Sequence, residues 1–422
     1  MDLILFLIAV ILIIKQSKFE WVLVIIMALS TNIFSTASYY TGIFLFPNIS
    51  DGALVLIIVL YLYNYKIKEI YSEEYQSFKQ IIKLFLIYIG LITIIDLFIN
   101  GTSIISILKT SRHWIALIFA FTITKLPINS IKKAIDIVFK ITLILSTIIV
   151  VEHFTNIHYF TPESKEHMGI IRGILPSYYA FFYVILLYSN YYNNSKRKNI
   201  LYFTILCTSL LISSTRSIAL GLIVAVIICT WFISKNRVKS ILKVIGVISI
   251  MYLSSFFLTT LNQRFNEMFE ELSTTKDSSS QVEGNATFRL YMLKERYDYL
   301  KTDAQYYLFG IGNIIEEDFP QIFHIGLGDS KTGRITQLDT GDITWPLIIL
   351  RLGIIGLIIF LIIHYKIAYI AIKAKYTPLS LALFTYIFVC ILINSFAGSR
   401  YATSYFLILP ILCTTLICYN KK

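Results

Sequence analysis

The sequence predicts an all-α polytopic membrane protein with about 12–13 transmembrane helices. The chain has 422 residues, of which 56% are hydrophobic and only 15% charged, and its mean hydropathy is +0.71. Soluble domains carry about 25% charged residues, so this composition excludes a soluble enzyme and a secreted disulfide scaffold. The apolar residues form blocks of about 15–25, and roughly 20 residues are needed to cross a bilayer as a helix.

Thirteen apolar blocks separated by polar breaks are the predicted spans. Their ranges are 2–14, 19–36, 43–64, 80–99, 104–124, 134–153, 174–192, 199–214, 217–234, 240–260, 345–365, 378–396 and 401–419. We divide the chain into residues 1–261 with about ten spans, residues 262–343 as one large loop, and residues 344–422 with about three spans. Asp2 precedes the first block without a basic segment, which favours a retained span over a cleaved signal peptide.

The positive charges orient the chain. Lysine and arginine outnumber aspartate and glutamate by 37 to 25, and 22 of the basic residues fall in every second connection. Basic residues in short loops remain cytoplasmic, so these connections are predicted to lie inside and residues 262–343 outside. The net charge of +12 is therefore a topology signal, and no nucleic-acid partner is predicted.

Cysteine and histidine spacing predicts no metal site and no other cofactor. All five cysteines lie within apolar segments and show no CxxC spacing. The six histidines form no HxxxH or HExxH pattern. A Walker-type phosphate loop is also missing from the sequence, which disfavours an ATP-driven pump and points to a substrate that is already activated.

The large loop contains one segment with helical periodicity. Residues 286–302, ATFRLYMLKERYDYLKT, predict an amphipathic helix close to the membrane surface, followed by a turn at Gly310 and Gly312. Arg289 stands near the start of this helix and is predicted to be an active-site residue. Arg296 is expected on a solvated or salt-bridged face.

Several arginines remain at the predicted outer ends of the spans. A charge at the bilayer boundary is costly, so it usually faces the protein interior and serves a function. Guanidinium forks suit phosphate oxygens, and Arg172, Arg216 and Arg400 are therefore predicted to bind a pyrophosphate headgroup. The alternative is that each arginine extends to water or pairs with a carboxylate, and we favour that alternative for Arg112.

Two carboxylates lie where the large loop returns to the membrane. Asp339 and Asp342 are three residues apart, immediately before the span that starts near residue 345. They are candidates for a general base or for positioning an acceptor hydroxyl. Helix N-capping by Asp342 is an equally weighted alternative.

Four segments, in this order, resemble the O-antigen polymerase/O-antigen ligase superfamily of bacterial envelope proteins. They are IIRGILPSYYAFFYVILL with Arg172, SSTRSIALGLIVA with Arg216, NATFRLYMLKERYDYLKTDAQYYLFGIGN with Arg289, and DTGDITWPLIILRLGIIGLIIFLII with Gly353 and Gly356. Together they cover residues 165–365.

The resemblance implies a GT-C-like architecture and a metal-independent glycosyltransferase in the bacterial plasma (inner) membrane, with its large loop on the periplasmic or extracellular side. Its implied substrate is an undecaprenyl-pyrophosphate-linked oligosaccharide, polymerised into O-antigen or capsule. Membrane lipids and a chain-length regulator are the other implied partners. On this basis Arg289, Asp339 and Asp342 are the expected catalytic residues.

Two other functions remain as alternatives. Ligases of the superfamily usually carry a histidine at the loop-to-span return, where this chain has Asp339 and Asp342, so a ligase is disfavoured. A flippase or secondary transporter would tend to show internal repeats and mid-membrane helix breaks. The sequence has no clear repeat, and we therefore choose the polymerase.

Overall fold

The computed structural model describes residues 2–31, 49–67, 72–155, 177–213, 216–233, 242, 245–246, 286–315, 319, 322–326, 338, 344–374, 377–394 and 404–419. In these ranges the ordered elements are helices, and no strand occurs among them. The all-α polytopic fold class is thereby confirmed. The division into residues 1–261, 262–343 and 344–422 stays a prediction.

We number the α-helices of the described ranges in chain order. They are α1 Asp2–Ile14, α2 Phe19–Ser30, α3 Ile49–Tyr63, α4 Glu73–Phe98, α5 Ile104–Ile115, α6 Phe119–Thr122, α7 Ile128–Thr155, α8 Ser177–Tyr188, α9 Lys196–Ser213, α10 Arg216–Ile233, α11 Ala286–Leu300, α12 Ala304–Phe309, α13 Thr344–Lys373, α14 Pro378–Asn394 and α15 Ile408–Tyr419. Short 3₁₀ turns flank α6, and another precedes α15.

Three helices are long and apolar enough to cross a membrane within the described ranges. They are α4, α7 and residues Ile348–Lys373 of α13. Residues Ile104–Arg112 and Ala116–Lys125 would form a fourth span, bent by 46°. The sequence predicted one span without a bend there, and the 3₁₀ turns on either side of α6 interrupt it. Shorter apolar helices occupy most other predicted spans, while nearly all of 240–260 lies outside the described residues.

Helix α4 starts seven residues before the predicted span at residue 80. Its first turn carries Glu73 and Glu74, which suit the positive end of the helix dipole. Lys79, expected in a polar connection, is instead a buried helix residue whose Nζ lies 5.6 Å from the ring centroid of Phe121. The long aliphatic stem of lysine makes such a position tolerable.

Buried tyrosines join the helices through their hydroxyl groups. Tyr75 donates to the carbonyl of Ala120 at 3.0 Å, and Tyr179 donates to that of Met27 at 3.0 Å. Tyr183 donates to the carbonyl of Ile135 at 2.7 Å. A buried hydroxyl without a partner costs free energy, so these bonds fix how α4, α7 and α8 meet their neighbours.

Helix α13 contacts both α4 and α14 and also receives α11 and α12 from the large loop. Its third residue is Pro346, in the first turn, where a missing N–H leaves no helical bond unmade. This central position makes α13 the element that links the apolar bundle to the loop.

Candidate functional site

The large loop meets the bundle where α4 ends and α5 begins. We call the described residues between 286 and 338 the loop subdomain, and residues 309–313 (FGIGN) within it the docking turn. The docking turn contacts the N-terminal part of α13, beside a break in that helix at Gly353.

The docking turn binds backbone groups that the break in α13 releases. Gly353 adopts φ 63° and ψ −171° and so interrupts the helical hydrogen bonds. The carbonyl of Leu350 accepts the N–H of Ile311 at 2.7 Å, and the carbonyl of Arg351 accepts the N–H of Gly312 at 3.2 Å. Buried backbone groups require such partners, so the break and the turn stabilise each other.

Glycine is required where the turn and the break approach each other. Gly310 has φ 79°, and a Cβ there would lie 2.5 Å from the carbonyl carbon of Arg351. A Cβ on Gly353 would overlap the backbone of Leu308. Both positions therefore need the positive φ and the missing side chain that glycine supplies.

The side chain of Asp96 binds Asn313, the last residue of the docking turn. Its carboxylate, 1% exposed, lies near the C-terminal end of α4. Oδ2 accepts the backbone N–H of Asn313 at 2.7 Å and its side-chain Nδ2 at 3.0 Å, while Oδ1 accepts Nδ2 of Asn100 at 3.0 Å. Three donors satisfy this buried charge, which would otherwise be costly.

Side chains of α5 and α13 form hydrogen bonds with the backbone of residues 313–315, at the end of the docking turn and just after it. The Ser106 hydroxyl donates to the carbonyl of Asn313 at 3.1 Å and accepts the N–H of Ile315 at 2.8 Å. From α13, the Arg351 guanidinium donates to the carbonyl of Ile314. Arg351 also interacts electrostatically with the carboxyl group of Asp96. Opposite charges from two helices therefore clamp consecutive residues of the loop.

The loop subdomain has a small core of its own. It consists of Leu300, Ile311, Phe323, Leu338 and Leu350, the last contributed by α13. The docking turn supplies Ile311, so the core of the subdomain and its attachment to the bundle form one unit.

A buried ion pair supports this core. Arg296 is fully buried, pairs with Glu295, donates to the carbonyl of Ile325 and lies 4.1 Å from the ring centroid of Phe323. Glu295 also accepts the N–H groups of His324 and Ile325 at 2.7 and 3.1 Å. The expected salt bridge is present, but the expectation of a solvated face is wrong, because the loop around residues 323–325 folds over this arginine.

An aromatic pair covers the subdomain core. The ring of Tyr299 stacks on that of Tyr306, with centroids 5.8 Å apart. Burial raises the pKa of Tyr299, and the neighbouring Tyr306 adds to this effect. Tyr299 therefore stays a neutral phenol at physiological pH.

Arg112 has the structural partner that we favoured. Its NH1 lies 2.9 Å from Oδ2 of Asp51 at the start of α3. Both side chains remain partly exposed, so the pair contributes little stability on its own.

The predicted site residues are only partly described. Arg216 is the first residue of α10, and Arg289 lies in the first turn of α11, but their side chains are outside the described part of the structure. Arg172, Arg400, Asp339 and Asp342 lie outside the described residues altogether. Their roles at a common site therefore stay predictions.

One weak signal in the sequence points to the network around Asp96. An acid at the end of an apolar helix, followed by Asn100 and Gly101, is unusual in a membrane span and points to a function or a specific partner. Neither Ser106 nor Asn313 stood out, because their contacts join segments about 200 residues apart. Within the described ranges, no three His, Cys, Asp or Glu side chains gather as metal ligands would.

The fold and this junction define a polytopic helical membrane protein whose large loop docks into a broken transmembrane helix. Residues 201–361 match the family model described as O-Antigen ligase, which confirms the resemblance to the O-antigen polymerase/ligase superfamily. The matched range contains Arg216, Arg289, the docking turn and Gly353. It indicates a glycosyl-transferring membrane enzyme with a lipid-linked oligosaccharide substrate. No curated protein gives a match.

Proposed function

We propose that the protein polymerises polyprenyl-pyrophosphate-linked repeat units into surface polysaccharide, at the outer face of the bacterial plasma membrane. The observation that carries the proposal is the family match over residues 201–361, which includes Arg216, predicted to bind the diphosphate, and Arg289, predicted to be catalytic. The docked loop subdomain supports it, because its attachment to the bundle fixes the helix that carries Arg289, and transfer between two substrates requires fixed catalytic groups.

The proposed diphosphate site is supported by the positions of two arginines at the N-terminal ends of helices. Arg216 begins α10, and Arg289 falls within the first turn of α11. The first turn of a helix has free N–H groups and a partial positive charge, so it favours bound anions. An arginine at such a position adds a full charge to the same end. Arg172 and Arg400 are proposed as further ligands of the diphosphate.

The proposed reaction displaces a lipid diphosphate from the donor glycan. The hydroxyl oxygen of the acceptor sugar forms a bond to the anomeric carbon as the bond from that carbon to the phosphate oxygen breaks. The electron pair leaves with the diphosphate, and Asp339 or Asp342 takes the hydroxyl proton. Arginine charge stabilises the negative charge that develops on the leaving group. The growing chain is thereby transferred to the non-reducing end of a new lipid-linked unit.

A cell-based experiment tests the proposed function. Deleting the gene is expected to leave surface glycan limited to one repeat unit, and the native chain should restore the ladder of longer glycans on a gel. The Arg216→Ala variant, expressed at equal level, is expected to retain the single-unit pattern. Long glycans in the deletion strain, or an undiminished ladder from Arg216→Ala, would contradict the proposal.

The name of the matched family favours one second candidate, an O-antigen ligase. A ligase attaches completed glycan to a different acceptor, so its deletion removes all surface glycan rather than shortening it. Asp339 and Asp342 at the loop-to-span return, where ligases usually carry histidine, favour the polymerase.

Chelation tests whether arginine charge suffices without a divalent cation. Because guanidinium groups are proposed to neutralise the diphosphate, we expect EDTA dialysis of the purified protein to leave the polymerisation rate unchanged. The rate is measured as chain extension on a gel. A loss of activity that Mg²⁺ or Mn²⁺ restores would show that a metal ion takes part.

A further inference from the structure

We infer that Asp96 is a positioning residue for glycan transfer: it anchors the docking turn in the break of α13 and thereby fixes α11, the helix that carries Arg289. The anchoring part of this inference rests on geometry alone. Its link to glycan transfer rests on the proposed function.

Asp96 is suited to this role by its burial and by its partners. It is a carboxyl group at 1% exposure whose Oδ2 accepts two hydrogen bonds from one residue of the loop, at 2.7 and 3.0 Å. Removing one member of such a buried, charge-assisted set leaves the others without partners. The bundle therefore holds Asn313 more strongly than apolar packing alone would.

Further contacts connect the docking turn to α11. The N–H of Ile311 binds the broken segment of α13, and the Ile311 side chain packs in the same small core as Leu300 at the C-terminal end of α11. The Arg296 side chain, one turn before Leu300, is clamped under Phe323. A displacement of the docking turn would thus rotate α11 about its C-terminal end. Arg289 would move most, because it is near the opposite end of this 15-residue helix.

A swap of the two partners tests this inference. Asn313→Asp places two carboxylates against each other, whereas the double variant Asp96→Asn with Asn313→Asp restores one carboxylate and one amide in reversed order. We expect Asn313→Asp to lower polymerisation about tenfold or more, Asp96→Asn less, and the double variant to recover part of the activity. Recovery is partial because Oδ2 of Asp96 accepts both bonds, whereas one atom of an amide at that position cannot both accept and donate. Leu84→Ala is the matched control, because Leu84 is an exposed residue of α4 about three turns before Asp96.

A distance measurement separates anchoring from activity. Spin labels are placed at Lys294→Cys on α11 and Leu91→Cys on α4, both exposed positions, with the partly buried Cys207 replaced by alanine. In lipid nanodiscs we expect one narrow distance distribution in the parent and in Leu84→Ala. We expect a broadened distribution in Asn313→Asp and a narrower one in the double variant.

The outcomes distinguish the two proposals. A distribution that stays narrow in Asn313→Asp, or activity that the double variant does not recover, would overturn the role of Asp96. If the distribution broadens and narrows as expected while the native protein does not extend lipid-linked units, the anchoring stands and the proposed function fails.

Discussion

Replacing Arg289 by alanine is expected to lower the rate of glycan polymerisation by about 10²–10³-fold. In the proposed mechanism its guanidinium stabilises charge that develops on the departing diphosphate, and this term is usually the largest in such reactions. The loss should be concentrated in kcat for a purified protein given lipid-linked repeat units, because the charge develops only as the bond breaks.

Two variants on the same helix control this measurement. Arg289→Lys keeps the charge but loses the planar fork, so an intermediate rate is expected. Lys294→Ala removes an exposed cation of α11 and is expected to retain the native rate. Equal losses in Arg289→Ala and Lys294→Ala would indicate a general effect of positive charge and contradict a specific site.

The Gly312→Ala variant is expected to release the loop subdomain from the bundle. Gly312 adopts φ 78°, where an alanine costs about 1–3 kcal/mol, and its Cβ would overlap the Asp96 carboxylate. The network around Asp96 therefore cannot form. We expect a lower unfolding temperature, measured by the reaction of a fluorescent thiol dye with the buried cysteines, together with faster proteolysis of the loop.

Gly90→Ala is the matched control for this variant. Gly90 lies in α4, the helix that also carries Asp96, and a Cβ there meets nothing within 4 Å. Alanine favours a helix more than glycine does, so this variant should be as stable as the native protein or slightly more so. Equal unfolding temperatures for Gly312→Ala and the native protein would contradict the proposed fit of the turn.

The class of fold was predictable because membrane solvation imposes it. The bilayer core offers no water to the backbone, so long apolar blocks cross it as helices, whose N–H and C=O groups bond to each other. The lengths of these blocks and the alternation of charge between them can be read directly from the sequence. Helix ends were less predictable. The basic residue Lys79 looks like part of a loop, yet it lies inside α4 as a buried residue beside the ring of Phe121. The bend after α5 depends on 3₁₀ turns that carry no clear signature in the apolar pattern.

The junction between loop and bundle was predictable only in part. Gly310 and Gly312 of the docking turn predicted a turn. Gly353 and Gly356 marked the segment in which the loop returns to a transmembrane span, by resemblance to the family. That these two features bind each other could not be read from spacing, because the contact depends on tertiary packing. The burial of Arg296 was missed for the same reason: its helical position suggests a surface, and the distant residues Phe323 and Ile325 create its pocket.

We propose that this protein transfers glycan from a diphosphate lipid to a second lipid-linked unit. The most direct measurement supplies purified protein in nanodiscs with labelled undecaprenyl-pyrophosphate-linked repeat units and no nucleotide. We predict a ladder of lengthened glycans and release of one undecaprenyl pyrophosphate for each new glycosidic bond. Lipid-linked units that remain unextended, while the same preparation moves them intact across the bilayer, would contradict the account.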